Sequence, residues 1–87
     1  MKKILMFYQK WCPYCRKAFD WIDELKKENP AYAAIQIETV DENADKKRAD
    51  SFDYYYVPTF YIDGKKVHEG AASKQIIEEV FKQAMDR

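Results

Sequence analysis

The stretch Ile4-Leu5-Met6-Phe7-Tyr8-Gln9-Lys10-Trp11-Cys12-Pro13-Tyr14-Cys15 decides how the rest of the chain is read. Its apolar run, Ile4 to Tyr8, is too short for a helix and ends in polar residues, which predicts a buried strand. From Pro13 a different period begins. Tyr14, Ala18, Trp21 and Leu25, with Cys15, Phe19 and Ile22 beside them, recur at three- and four-residue steps. Arg16, Lys17, Asp20, Asp23, Glu24, Lys26 and Lys27 fill the other side, so the pattern is an amphipathic helix. A strand runs into a helix, and both cysteines of the chain lie at the junction.

Proline fits the first helical position, where its missing N–H costs nothing, and this puts Cys12 at the N-cap and Cys15 three residues on. Unpaired backbone N–H groups and the positive end of the helix dipole favour an anion there. The Cys12 thiol is therefore expected to ionise more readily than that of a free cysteine, and the thiolate is the species that attacks a disulfide. Residues three apart on a helix face one another, so Cys15 should reach the Cys12 sulfur and close or resolve a disulfide with it.

Eighty-seven residues make one domain, 1–87, with a modest core: a chain of this size buries roughly 60–65% of its unfolded surface. Fifteen basic and fifteen acidic residues cancel, which removes the electrostatic footprint expected of a nucleic-acid or anionic-membrane partner. No apolar stretch approaches the length that spans a bilayer, and Met1-Lys2-Lys3 with five apolar residues after it is short for a secretory signal. A cytoplasmic protein is expected. Thiols are kept reduced in that compartment, so two cysteines there point to catalysis or metal binding rather than to a structural crosslink. A zinc site needs four ligands, and His68 is the one histidine, so no metal site is expected.

Asn29-Pro30 should end the first helix, because the residue before proline is pushed out of the helical region. Ile35, Ile37 and Thr39 alternate with Gln36 and Glu38, which predicts a second strand, parallel to the first across the helical crossover. Asp41-Glu42-Asn43 offers N-cap chemistry for a short second helix carrying Ala44, Arg48 and Phe52, with the charged run 45–50 as its solvated side. Phe60 and Ile62 alternate with Thr59 and Tyr61. Asp63-Gly64 is a type I′ hairpin signal leading to a return strand, Lys66 to Glu69, on which His68 is expected to be solvated. Gly70 ends that strand and Ser73 caps a last helix with one face of Ile76, Ile77, Val80, Phe81, Ala84 and Met85. Trp21 and Phe19 are expected in the core, and the Tyr54-Tyr55-Tyr56 cluster partly in the core and partly on the rim beside Pro58.

Cys12-Pro13-Tyr14-Cys15 resembles the glutaredoxin active site residue for residue, and Trp11 resembles the tryptophan before the thioredoxin cysteines. Val57-Pro58-Thr59 is similar to the family's Val-Pro-Thr, whose proline is cis and lies against the active-site disulfide. Gly70-Ala71-Ala72-Ser73-Lys74 resembles the thioredoxin Gly-Ala-x-Ser-Lys. The order β-α-β-α-β-β-α matches the thioredoxin-like α/β fold along essentially the whole chain, which implies a four-stranded mixed sheet with helices on both faces. The resemblance implies a dithiol-disulfide oxidoreductase with Cys12 as nucleophile and Cys15 as resolving thiol. Trp11, Pro13, Tyr14, Val57 and Pro58 would contact a protein disulfide substrate, and a thioredoxin reductase type of enzyme would restore the dithiol of a monomeric protein.

The glutaredoxin side of the resemblance implies glutathione as reductant, bound by Lys10, Tyr14, Val57 and Gly70; no other cofactor is implied. Against it, Ala71 and Ala72 stand where glutaredoxins carry the aspartates that pair with the glutathione amino group. Met6 stands where thioredoxins place a buried aspartate, so a water or a neighbouring carboxylate is expected to accept the Cys15 proton. Two readings outside this class remain: an iron–sulfur or metal carrier bridging two protomers through Cys12, and a binding module without turnover.

Overall fold

The computed structural model describes residues 1–86, and the chain runs β1 (Ile4–Tyr8), α1 (Pro13–Glu28), α2 (Pro30–Ala33), β2 (Ile37–Asp41), α3 (Lys46–Asp50), β3 (Thr59–Ile62), β4 (Lys65–Glu69) and α4 (Lys74–Met85). The strands lie in the order β2-β1-β3-β4. β1 pairs parallel with β2 and antiparallel with β3, so the strand that leads to the cysteines sits inside a mixed sheet.

Each face of β1 builds its own core, because successive side chains point to opposite sides of a strand. Ile4 and Met6 join Phe60, Ile62 and the buried faces of α1 and α4, including Ala18, Ile22, Leu25, Ile77, Val80 and Phe81. Phe7 joins Val40, Tyr61 and Ala49 of α3 on the opposite face, with Leu5, Phe52, Tyr54 and Val57 packed around them. Helices therefore cover both faces. Rings around Phe7 meet it at 4.9 Å (Phe52), 5.0 Å (Tyr54) and 6.0 Å (Tyr61).

The helix ends follow local chemistry. α1 stops at Asn29, and the Asn29 Oδ1 then accepts from the Ala31 N–H to start the one-turn α2, an element the sequence pattern did not suggest. Ser73 caps α4 by accepting from the Ile76 N–H at 3.1 Å. Asp63 and Gly64 have φ of 52° and 76°, the positive values that a type I′ hairpin needs at both central positions.

Several expectations need correction. The second strand begins at Ile37 rather than Ile35, and Ile35 is buried in the connection before it. α3 is capped by Asp45, whose Oδ1 accepts from the Arg48 N–H; Asp41 instead accepts from Asn43 in the loop. The buried residue of α3 is Ala49, while Ala44 is exposed, because with the cap at Asp45 it lies in the turn before the helix begins. Trp21 and Phe19 pack against the core but are only half-buried, since the buried line of α1 runs through Cys15, Ala18, Ile22 and Leu25; Tyr14 is exposed, as a substrate-facing residue should be. His68 is half-buried, with Nε2 3.0 Å from the Ala71 carbonyl.

A register irregularity separates Phe60 from Tyr61 in the β3–β4 pairing: Thr59 faces Glu69 and Phe60 faces His68, whereas Tyr61 faces Lys66. One extra residue on β4 resets its alternation, so Lys66 and Glu69 point to the same face although they are three apart. Their side chains meet at 2.6 Å.

Phe7 is fully buried among three rings, so Phe7→Ala is expected to lower unfolding stability by about 3–5 kcal/mol through lost burial and a residual cavity, checked by urea denaturation. A midpoint close to that of the parent protein would show that α3 and the Tyr54 segment close over the space.

Candidate active site

The loop from Gln9 to Cys12 is short and pinned at both ends. The Glu42 N–H donates to the Tyr8 carbonyl at 3.0 Å, the Cys12 N–H to the Gln9 carbonyl at 3.3 Å, and the Arg16 N–H to the Cys12 carbonyl at 3.1 Å. Cys12 has extended backbone angles at the N-cap of α1, with Pro13 opening the helix, as the sequence pattern predicts. Its side chain makes no cap hydrogen bond. The Cys12 Sγ points instead to the Val57 carbonyl, a long contact of 3.8 Å.

Val57 precedes Pro58, and the peptide bond between them is cis. Pro58 is buried; its carbonyl accepts from the Gly70 N–H at 2.9 Å, and the Thr59 Oγ1 donates to the Tyr56 carbonyl. Gly70 holds φ at +93°, in the region that favours glycine, so the end of β4 can turn beneath this segment. The two halves of the site thus belong to different ends of the chain: the start of α1 and the approach to β3.

The two sulfurs are free and differ in surroundings. Cys12 is half-buried, whereas Cys15 is 1% exposed. Burial pushes the Cys15 thiol up to about 12, reinforced by a hydrogen bond with Cys12 and by the negative charges of Cys12 and Glu42, while a backbone hydrogen bond at Gln9 acts the other way. Cys15 therefore stays protonated at neutral pH. Cys12 opens onto a cleft of roughly 430 Å³ shared with Trp11, Pro13, Arg16, Lys17 and Asp20. Trp11 is 87% exposed, in line with the surface position the resemblance implies.

Glu42 is a residue whose part the sequence pattern did not reveal. Its carboxylate accepts from the Gln9 side chain and, at 2.7 Å, from the Tyr54 hydroxyl. Burial and this bond push the Tyr54 phenol above its ordinary range. Glu42 is thus a carboxylate whose charge reaches Cys15 where Met6, fully buried, supplies none. Glu69 was missed too: its Oε2 accepts from the Tyr55 N–H at 2.6 Å and the Tyr56 N–H at 3.0 Å. No sequence signal marks either role, since each depends on strands meeting across the sheet.

Of the residues the glutathione reading needs, Lys10 borders a small cleft beside Cys15, Tyr14 projects from the first turn of α1, and Gly70 adjoins Pro58. No hydrogen bond or ion pair joins Lys10, Tyr14 and Gly70 to one another among the described residues. No cluster of three or more metal-ligating side chains lies among the described residues, and no helix there is long and apolar enough to cross a membrane.

A mixed four-stranded sheet, helices on both faces, and a Cys-x-x-Cys at a helix N-terminus against a cis-proline define a thioredoxin-like disulfide oxidoreductase. Residues 2–82 match the family model described as a thioredoxin domain, and the chain belongs to that family. It is 31% identical over 83 residues to a probable thioredoxin of Methanothermobacter thermautotrophicus, covering 95% of each chain. It is 33% identical over 84 residues to a probable thioredoxin of Methanothermobacter marburgensis, covering 97% of this chain and 93% of that one. Among solved structures it is similar to thioredoxin O1 of Arabidopsis thaliana, with a TM-score of 0.73 at 22% identity over 99% of this chain and 79% of that one. A mutant thioredoxin of Halobacterium salinarum gives a TM-score of 0.71 at 18% identity over 99% and 76%. The family model and the two Methanothermobacter relatives are thioredoxin by description, so the glutaredoxin side of the resemblance is not favoured.

Two outcomes are expected. Iodoacetamide at about pH 8 should alkylate one thiol per folded chain, Cys12, and both after unfolding, because Cys15 is buried and protonated; mass spectrometry of the Cys12→Ser variant checks this, and rapid labelling there would contradict it. The Lys66 ammonium, followed by the Tyr55 and Tyr56 N–H groups, holds the Glu69 carboxyl down to about 2 from an ordinary 4.5. A depressed pKa gives stability that is present above the ordinary value and lost as pH falls through the folded one. The gap in urea midpoint between the parent and Glu69→Gln should therefore narrow steadily from pH 4.5 towards 2.

Proposed function

We propose that the protein reduces protein disulfides through Cys12 and Cys15 and is itself re-reduced by an enzyme of the thioredoxin reductase type. The arrangement of the two sulfurs carries this reading: one half-exposed at a helix N-terminus, the other buried beside it and protonated. Cys12, as thiolate, attacks one sulfur of the substrate disulfide. A bond forms between them, and the electron pair of the old S–S bond leaves with the second substrate sulfur, which takes a proton.

Cys15 then passes its proton to a water or a neighbouring carboxylate and attacks the Cys12 sulfur. The mixed disulfide breaks, the first substrate sulfur leaves as a thiolate, and the chain is left with an intramolecular disulfide, having supplied two electrons. Glu42 is the neighbouring carboxylate best supported as an influence on that proton. A buried resolving thiol has a clear use, since it stays silent until a substrate is bonded to Cys12 next to it.

Trp11, Pro13, Tyr14, Val57 and Pro58 form the contact surface for substrate in this reading. No hydrogen bond to the Val57 N–H is present among the described residues, so an extended substrate segment can pair with it beside Pro58. Glutathione is the second candidate reductant, supported by Cys12-Pro13-Tyr14-Cys15 but not by the uncharged Ala71 and Ala72. A monomer working in the cytoplasm suits both a reductase and a reducing environment.

The tests are direct. Cys15→Ser should accumulate mixed disulfides with substrate, and Cys12→Ser should lose insulin reduction by on the order of 10³-fold or more. Persisting activity in Cys12→Ser would reverse the assigned roles. Turnover with thioredoxin reductase and NADPH is expected to exceed that with glutathione and its reductase by about tenfold or more, a difference of only ~1.4 kcal/mol in transition-state binding; the opposite order would make glutathione the reductant.

A further inference from the structure

Cys15 must lose its proton while substrate is bonded to Cys12, yet at 1% exposure it has almost no direct path to bulk water. It borders a small cleft of roughly 230 Å³ with Gln9, Tyr8, Lys10, Arg16 and Asp20. Gln9 hydrogen-bonds Cys15 through its backbone and donates from its side-chain amide to the Glu42 Oε2. Glu42, in the turn after β2, is held at three points. Its N–H donates to the Tyr8 carbonyl at 3.0 Å, Oε2 accepts from Gln9, and Oε1 accepts from the Tyr54 hydroxyl at 2.7 Å. Tyr54 is fixed in turn by stacking on Phe7 at 5.0 Å. Glu42 and Tyr54 also line a cleft of roughly 450 Å³ against α3, with Lys46 and Asp50. That cleft shares no residue with the one onto which Cys12 opens.

We infer that Gln9, Glu42 and Tyr54 form the proton outlet of the resolving step, leading from Cys15 to the α3 cleft by a route that substrate on Cys12 leaves open. Glu42 is the acceptor, and Gln9 and Tyr54 are its positioning residues; the assignment rests on the disulfide-exchange reading. Once Cys12 carries the substrate sulfur, one water in the cleft beside Gln9 takes the Cys15 proton and passes one to the Glu42 carboxylate. The Cys15 thiolate bonds to the Cys12 sulfur, the bond from Cys12 to substrate breaks, and its electron pair leaves with the substrate sulfur. Glu42 then releases its proton to water in the α3 cleft. Each Glu42 oxygen receives one neutral donor and keeps a lone pair for the proton. Glu38 and Glu69 show the contrast, since Arg48 and Lys66 hold their carboxyls down to about 2 and leave them poor acceptors. The other charges along this path, Lys10, Arg16 and Asp20 beside Cys15 and Lys46 and Asp50 beside Glu42, are exposed, where water screens them.

Stopped flow with dithiobis(nitrobenzoate) separates the two halves of the exchange: the reduced protein releases one nitrothiolate as Cys12 attacks and a second as Cys15 resolves. For Glu42→Gln the second phase is expected to slow by about 10²-fold near neutral pH, the usual worth of a positioned acceptor, with the first phase kept. The deficit should close as pH rises and hydroxide takes the proton directly, and Glu42→Asp should recover part of the rate. Tyr54→Phe should slow the second phase by a smaller factor with the same pH trend. A second phase unchanged or faster in Glu42→Gln overturns the inference, the faster one by making Glu42 a charge that only holds the Cys15 proton in place. A slowing equal at every pH overturns it as well, by making Glu42 purely structural. So does the same pH-dependent loss in Asp20→Asn with Glu42→Gln unaffected. A parent protein that releases no first nitrothiolate would instead sink the disulfide-exchange reading itself.

Discussion

The site depends on β1 being held inside the sheet with both of its faces covered. Ile4 and Met6 are locked against α1, α4 and β3, while Phe7 is locked against α3, β3 and the Tyr54 segment. A slip of one residue would exchange the two sets of side chains between cores of different shape, so the register is strongly specified. The end of β1 is thereby fixed, and with it the four-residue loop that carries Cys12 to the start of α1. Because β3 pairs with the other edge of β1, Pro58 and Val57 arrive beside the same point. One strand's register thus aligns the nucleophile with the segment it touches.

The chemistry follows from an asymmetry in burial. Two identical thiols, three residues apart on one helix, become different acids because Cys12 lies at the helix start and Cys15 lies on the line that faces the sheet. Desolvation dominates at Cys15, and the Glu42 charge adds to it. The carboxylate that shapes this environment comes from the turn after β2 rather than from the Met6 position, and Tyr54 and Gln9 hold it there.

The irregularity in β4 does similar work at the other side of the site. By resetting the alternation between His68 and Lys66, it brings Lys66 and Glu69 to one face and leaves a carboxylate oxygen for two backbone N–H groups. The Tyr55-Tyr56 backbone gains fixed partners in a stretch without regular structure, where such groups otherwise depend on water.

How far the sequence reaches can be judged from particular residues. Pro13 after Cys12 placed the thiol at the helix start, Asp63-Gly64 placed the hairpin, and Ser73 placed α4, because each works through its own backbone or a neighbour within one turn. The apolar run at β1 and the helix periods were enough for the fold class, and the resemblance supplied the cis-proline. The start of β2 and the cap of α3 differ from the sequence pattern, since near-equal local options there are settled by packing. The partners of Glu42 and Glu69 and the burial of Cys15 were decided by tertiary structure alone: they depend on which strands meet and in what register, and on how much water the assembled core excludes from a sulfur.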